Sequence, residues 1–220
     1  MDIKLRLEQP EDYRKVEEVA REAFWNFYAP GCDEHYLLHI MRSSPNFVKG
    51  LDFVAVADRK IVGIVVFLKS FILTDDGCKY EVLSMGPIAV LPQYQRMGIG
   101  RMLIAHTRKI AAEMGYRAIL LCGEPRYYSK VGFEAAEHFN IRTSEDKYFA
   151  ALHVCPLYPD ALAGVSGRYY EDVIYNTDSD KAKEFDKLFP RKERIEGTSS
   201  QKRFEEVLAM QKNYKSSSDK

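Results

Sequence analysis

No CxxC pair and no Cys/His cluster at metal-ligand spacing occurs in the 220 residues; the four cysteines, Cys32, Cys78, Cys122 and Cys155, stand far apart. That argues against structural zinc and predicts free thiols in a reducing, cytoplasmic setting, with no metal. Cys122, inside an apolar run, is expected as a buried core thiol. Charge of one sign is also missing: Lys and Arg number 32, Asp and Glu 32. Nothing in that balance draws nucleic acid or an anionic membrane. The opening stretch, MDIKLRLEQPEDYRK, lacks the apolar core of a signal peptide. The longest apolar runs, such as Ile61–Leu68, fall well short of the roughly 20 residues that span a bilayer. What is present is 46% hydrophobic and 29% charged residues, the make-up of a soluble globular chain with a real core. At roughly 100–200 residues per domain, the length allows one domain, or one with an appendage.

Lys4–Leu7 alternates as a short strand, and from Pro10 to Phe24 the residues Val16, Val19, Ala20, Ala23 and Phe24 recur at helical spacing. Pro30 and Gly31 break the pattern, and Asp33 can cap a second helix through Met41. Strands follow at Phe53–Ala57, Ile61–Leu73 and Tyr80–Val90, joined by tight turns at Asp58-Arg59-Lys60 and Asp75-Asp76-Gly77, which implies an antiparallel meander. Gly86-Pro87 interrupts the third, because proline removes a ladder donor and marks an edge or a bulge. A long helix starts near Gly98, with Ile99, Met102, Leu103, His106, Ile110 and Met114 on one stripe and Gly115 as its stop. Ala118–Cys122 is solidly apolar, so it and the strand through Leu83 are expected as parallel neighbours with a right-handed crossover. Arg126–Val131 reads as a short helix. Beyond it, Phe149–Val154 and Gly167–Tyr170 are strand-like, Ser179–Leu188 and Ser199–Lys212 are helical, and Lys215–Lys220 is a polar tail expected to be disordered. The core domain is expected over residues 1–175 and an extension over 176–220.

The stretch Gln95-Arg96-Met97-Gly98-Ile99-Gly100-Arg101 lies between an apolar strand and the long helix. The first turn of a helix carries unpaired N–H groups and the positive end of the dipole, an anion site. Gly98 and Gly100 have no Cβ, so a pyrophosphate can approach the main chain. A P-loop is excluded, since no GKS or GKT is present, and Leu103 stands where a dinucleotide-binding GxGxxG would need its third glycine.

Gln95-x-x-Gly98-x-Gly100 resembles the Q/R-x-x-G-x-G/A acetyl-CoA signature of the GNAT superfamily of N-acetyltransferases, and Ala89-Val90-x-Pro92-x-Tyr94-Gln95 resembles the approach to it. A weaker likeness, Ala161-Leu162-x-Gly164-Val165-Ser166-Gly167-x-Tyr169-Tyr170, is to an uncharacterised bacterial-type subgroup. The resemblance covers residues 1–175. It implies an α/β fold: a mixed, mostly antiparallel sheet with helices on both faces and a splayed parallel strand pair, followed here by a helical C-terminal extension. It also implies that Ile88, Ala89 and Val90 pair with pantetheine and that Gln95, Arg96, Met97, Gly98, Ile99, Gly100 and Arg101 hold the pyrophosphate of acetyl-CoA. Tyr127-Tyr128-Ser129-Lys130-Val131-Gly132-Phe133 resembles the segment whose second aromatic is the family's general acid, which maps onto Tyr128. A thiol has a pKa of about 8.5 and a tyrosine about 10, so a phenol near the departing sulfur can donate a proton as charge develops there.

Many relatives in that family carry a glutamate base on the strand before the signature; here that position is Ser84, while Glu81 and Glu124 could act only through water. His106, on the apolar stripe, is expected as a core histidine. The acceptor pocket is expected around Trp25, Tyr28 and Glu34. The function expected is N-acetyl transfer from acetyl-CoA to a primary amine of a small molecule or peptide, by direct attack, in a monomer or homodimer with no nucleic-acid or membrane partner. The alternatives are a non-catalytic acyl-CoA sensor and a nicotinamide-dependent oxidoreductase, the latter weakened by Leu103.

Overall fold

The computed structural model describes residues 2–214; the tail expected over 215–220 lies outside them. Strands β1 (Ile3–Leu7), β2 (Phe53–Ala57), β3 (Lys60–Thr74) and β4 (Lys79–Val90) pair antiparallel in succession. Side chains alternate across a strand, and here both faces are apolar. Ile64, Val66 and Leu68 of β3 face one side, where α1 (Tyr13–Phe24) and α2 (Glu34–Met41) bury Val16, Ala20, Leu38 and Met41. Val65 and Phe67 face the other, against Ile99, Leu103 and Ile104 of α3 (Ile99–Glu113).

The buried stripe of α3 is Ile99, Leu103, Ile104, Thr107 and Ala111. The stripe expected from apolar spacing was rotated from this one, for Met102 and Met114 are exposed. Burial of Thr107 is tolerated because its hydroxyl bonds back to the carbonyl of Leu103 at 2.8 Å. His106 meets the edge of Phe53 at a centroid distance of 4.6 Å and is half-buried rather than core.

Helix α3 returns the chain to β5 (Ala118–Cys122), parallel to β4. Then come α4 (Pro125–Tyr128), β6 (Glu134–Ala135), β7 (Ile141–Arg142), β8 (Lys147–Phe149), β9 (Leu152–Pro156) and β10 (Gly167–Tyr170). The main sheet runs β1-β2-β3-β4-β5-β9-β6, with β10 beside the far part of β3 and β7 beside β10. This is the mixed, mostly antiparallel sheet with helices on both faces that the sequence led us to expect. The single strand expected over Phe149–Val154 is divided between β8 and β9, because Ala150 turns its N–H to the carbonyl of Met210 at 3.0 Å.

Residues 176–213 wrap back onto the sheet as α5 (Ser179–Asp186), α6 (Ser199–Leu208) and β11 (Gln211–Asn213). A capping box starts α6: Thr198 Oγ1 accepts from the Gln201 amide at 3.2 Å, and Gln201 Oε1 accepts from the Thr198 amide at 3.3 Å. The helix expected through Lys212 ends at Leu208, since Gln211, Lys212 and Asn213 are exposed and take the free edge of β8 instead. The segment is pinned at α1 as well. Arg21 Nε donates to Asp186 Oδ1 at 2.6 Å, Arg21 Nη2 to the Pro190 carbonyl at 3.0 Å, and Trp25 Nε1 to the Glu193 carbonyl at 2.8 Å. Burial pushes neighbouring His35 down to about 4, so Arg21, whose side chain is 3% exposed, is the cation that answers Asp186. Asp186→Ala would strand that buried guanidinium, and is expected to cost about 3 kcal/mol, read as a lowered urea midpoint at unchanged slope.

Candidate functional site

Strands β4 and β5 pair at only two positions, Leu83↔Ile119 and Ser84↔Leu120. Beyond them β4 stays with β3 as far as Gly63↔Val90, while β5 follows β9 to Cys122↔Leu152. Between Met85 and Ile88, β4 holds one residue more than β3 does between Phe67 and Val65, a bulge at Gly86-Pro87. Pro87 has no N–H for a neighbouring strand, and the Gly86 carbonyl accepts from Tyr175 Oη at 3.0 Å. The two strands therefore part, leaving one edge of β4 from Met85 onward without a strand partner.

The gap opens onto a cavity of about 680 Å³ that holds Ile88, Ala89, Val90, Gln95, Arg96 and Gly98 along one wall. Gln95 Nε2 donates to the Val90 carbonyl at 3.0 Å and so ties the turn to the strand end. Gly98 caps α3 at φ +85°, a conformation side chains resist, and Arg96 also has a positive φ of 63°. Among the described residues, none of the amides from Arg96 to Arg101 has a protein acceptor; the first paired amide is that of Met102, to the Gly98 carbonyl at 3.0 Å. Arg96, Arg101 and Lys130 line the same cavity. Successive free amides at a helix start, with three cations beside them, form an anion cradle of diphosphate size. A Cβ on Gly100 would lie 2.9 Å from Tyr127 Oη, so glycine there lets the tyrosine rest over the helix start.

Tyr128 lines this cavity and also a second one. Its ring covers Gly123, where any Cβ would collide with it, and packs edge-on to Phe133 at 5.7 Å. Its hydroxyl has no protein hydrogen-bond partner among the described residues. Burial raises the phenol well above the ordinary tyrosine value, so it stays protonated and able to donate. His153, tilted beside the ring at 5.7 Å, is buried, and desolvation lowers it.

The second cavity, of about 300 Å³, lies across the gap from the anion cradle and is lined by Tyr28, Glu34, Ser84, Cys122, Tyr128 and Glu171, among others. Desolvation raises Glu34 to about 7, and it raises Glu171 as well. Ser84 is buried and hydrogen-bonded to the Tyr169 hydroxyl. Glu124 is engaged elsewhere: Arg203 Nε and Nη2 donate to its two oxygens at 2.9 and 3.0 Å and hold its pKa low. Glu81 is exposed beside Lys69 at 3.6 Å. Of the expected acceptor residues, Tyr28 and Glu34 come together here. Trp25 lies under residues 191–194 with Arg21 over its ring at 4.3 Å, and does not line the cavity.

Cys122, expected in the core, is exposed. It is the last residue of β5, beyond the final pair with β4, so the parting of the strands uncovers it. The side chain faces two cavities in the protein rather than the outer surface, and desolvation there pushes the thiol up to about 12, which disfavours a thiolate nucleophile at neutral pH. Glu171, Tyr169 and Tyr175 were not foreseen as site residues; the one sequence signal near them was the Ala161–Tyr170 likeness, which says nothing of where those side chains point.

Residues 50–135 match the family model described as an acetyltransferase (GNAT) domain. "Uncharacterized N-acetyltransferase YhbS" of Escherichia coli (strain K12) is 31% identical over 170 residues, which are 76% of this chain and 96% of that protein. The crystal structure of the GNAT family N-acetyltransferase YhbS from Escherichia coli in complex with CoA aligns with a TM-score of 0.70 at 28% identity, over 80% of this chain and 92% of that one. A GNAT family acetyltransferase from Brucella melitensis, in complex with acetyl-CoA, shares the fold with a TM-score of 0.62 at 23% identity, over 79% of this chain and 98% of that one.

Replacing Gly98 with alanine forces a Cβ into the left-handed region, where the cost is about 1–2 kcal/mol. Open space surrounds the site, so Gly98→Ala is expected to lower the denaturation midpoint by that strain alone, without a clash.

Proposed function

This chain belongs to the GNAT superfamily of N-acetyltransferases and is an acyltransferase, and we propose that it moves the acetyl group of acetyl-CoA to a primary amine of a small molecule or peptide by direct attack. The run of acceptor-free amides from Arg96 to Arg101, beside a cavity that Tyr128 also lines, carries the reading. Acetyl-CoA fits what is there. Arg96 to Arg101 would hold its diphosphate, with Arg96, Arg101 and Lys130 supplying charge, and Gly98 and Gly100 leave the main chain open to it. Ile88, Ala89 and Val90 would face the pantetheine arm, except that the Val90 carbonyl is taken by Gln95.

An attacking primary amine is a cation near neutrality, with a pKa of about 10, and must lose a proton first. Glu34 attracts that cation and, with its pKa near 7, is suited to take the proton, the base role vacant at Ser84. The amine nitrogen then bonds to the carbonyl carbon of the thioester, and its carbonyl oxygen takes up charge facing the main-chain amides of the parted β4 edge. When the carbon–sulfur bond breaks, Tyr128 donates its proton to the departing thiolate. The burial that keeps the phenol protonated also raises the proton affinity of the thiolate, so the transfer is not opposed by the site. Cys122 does not line the cavity proposed for acetyl-CoA, and desolvation keeps its thiol protonated, which supports direct transfer over a covalent acyl-enzyme.

Calorimetry with CoA and a thiol-release assay with acetyl-CoA over an amine panel test this. Binding with no release on any amine would point to the sensor instead. Tyr128→Phe is expected to keep CoA affinity and lower kcat by about 10²–10⁴; turnover surviving at neutral and high pH alike would remove Tyr128 from the acid role.

The pH profile follows from the sign of the Glu34 shift. Below a pKa of about 7 the carboxyl is protonated and cannot accept, so kcat/KM rises with pH through that value. Tyr128, raised rather than lowered, adds no falling limb until strongly alkaline pH. Glu34→Gln is expected to abolish the rising limb and lower kcat by about 10²-fold. A limb that persists in Glu34→Gln and vanishes in Glu171→Gln would transfer the base role to Glu171.

A further inference from the structure

A third cavity, of about 360 Å³, separates α6 from the end of β5, with Phe27, Tyr28, Cys122, Phe149, Phe204 and Val207 among its walls. That is at the small end of the range for ligand sites, about 300–1,000 Å³. Its polar neighbours are already engaged: Glu124 with Arg203 at 2.9 Å, and Ser200 with Thr198 Oγ1 at 3.1 Å. A ligand part entering it gains by burying carbon and finds no free charge to meet. Tyr28 borders all three cavities, and Cys122 is common to this one and the carboxylate-lined one. A molecule whose nitrogen lies by Glu34 and Tyr128 can therefore extend past Cys122 toward α6.

We infer that helix α6 completes the acceptor site, and that the acceptor is a primary amine carrying an apolar arm which lies between α6 and the end of β5. This rests on the amine acetylation proposed above.

Helix α6 is held there from three directions. Tyr28 and Phe204 meet at a centroid distance of 4.6 Å. Arg203 grips Glu124, and β11 pairs with β8. The YhbS relative is matched over 96% of its length but accounts for only 76% of this chain, so this chain has a surplus from which to build such a wall. The acids by the gap suit the nitrogen, and the apolar walls suit what it carries. Cys122 joins the apolar cavity to the carboxylate-lined one, while Phe27 and Glu124 join it to the diphosphate cavity, so it is the pair of acids beside Cys122, suited to an amine and not to a thioester, that favours the acceptor as occupant over a long acyl chain.

The test uses the full chain, acetyl-CoA and straight-chain primary amines from ethylamine to octylamine, with the matching ω-amino alcohols, read as thiol release. The expected kcat/KM climbs about fourfold per methylene until the cavity is full, and each amino alcohol falls below its alkyl counterpart. Phe204→Ala enlarges the cavity and should shift the best substrate to a longer amine, a gain that misfolding cannot mimic. Val207→Trp should flatten the series, with CoA affinity by calorimetry reporting that the protein is folded. A flat wild-type series, amino alcohols equal to alkylamines, or a length dependence that follows the acyl group of the donor rather than the amine would overturn the inference while leaving acetyl transfer intact. CoA binding with no release on any amine would overturn acetyl transfer itself, and the inference with it.

Discussion

The early separation of β4 from β5 is the constraint on which the rest of the molecule depends. Two strands that could have zipped along their whole length share only Leu83↔Ile119 and Ser84↔Leu120. A sheet edge in the middle of a protein is costly unless something fills it, because unpaired peptide groups lose water without gaining partners. Part of that demand is met within the chain, where Tyr175 and Gln95 bond the Gly86 and Val90 carbonyls of β4. The remainder is what a pantetheine arm can satisfy, so the defect in the sheet and the proposed recognition of the thioester are one feature.

Opposite electrostatic conditions prevail at the two ends of that opening. At the α3 end, free amides, the helix dipole and arginine side chains favour an anion. At the other, burial makes negative charge expensive, so Glu34 and Glu171 hold their protons more tightly than surface glutamates do. Tyr128 lies between them and borders both cavities. A donor with a phosphate-bearing end and an acceptor with a cationic end are thereby directed to opposite sides of one phenol.

Much of this was legible in the sequence because it rests on local rules. Glycine at 98 and 100, at the start of an amphipathic helix, announces open main-chain amides, and Gly86-Pro87 announces a break in strand pairing. The apolar run Ala118–Cys122 could not say where its neighbour would leave it, so Cys122 was expected in the core and is exposed. The α3 stripe was misjudged through Met102 and Met114, because methionine is apolar wherever it stands, while Thr107 can be buried by bonding its own helix. Glu171 and Tyr175 reach the opening only through closure of distant parts of the chain. The helix expected over Ser199–Lys212 came with no indication of what it would pack against.

Helix α4 has only four residues, Pro125–Tyr128, too short to hold a position alone. Its two tyrosines each lean on a glycine in a different element: Tyr127 on Gly100 at the start of α3, and Tyr128 on Gly123 just past β5. The short helix thus acts as a bracket bolted at both ends. Movement at the Gly98 turn would be felt at Tyr128, the proposed proton donor, so these four positions should drift through evolution as two linked pairs, each glycine retained for as long as its tyrosine is.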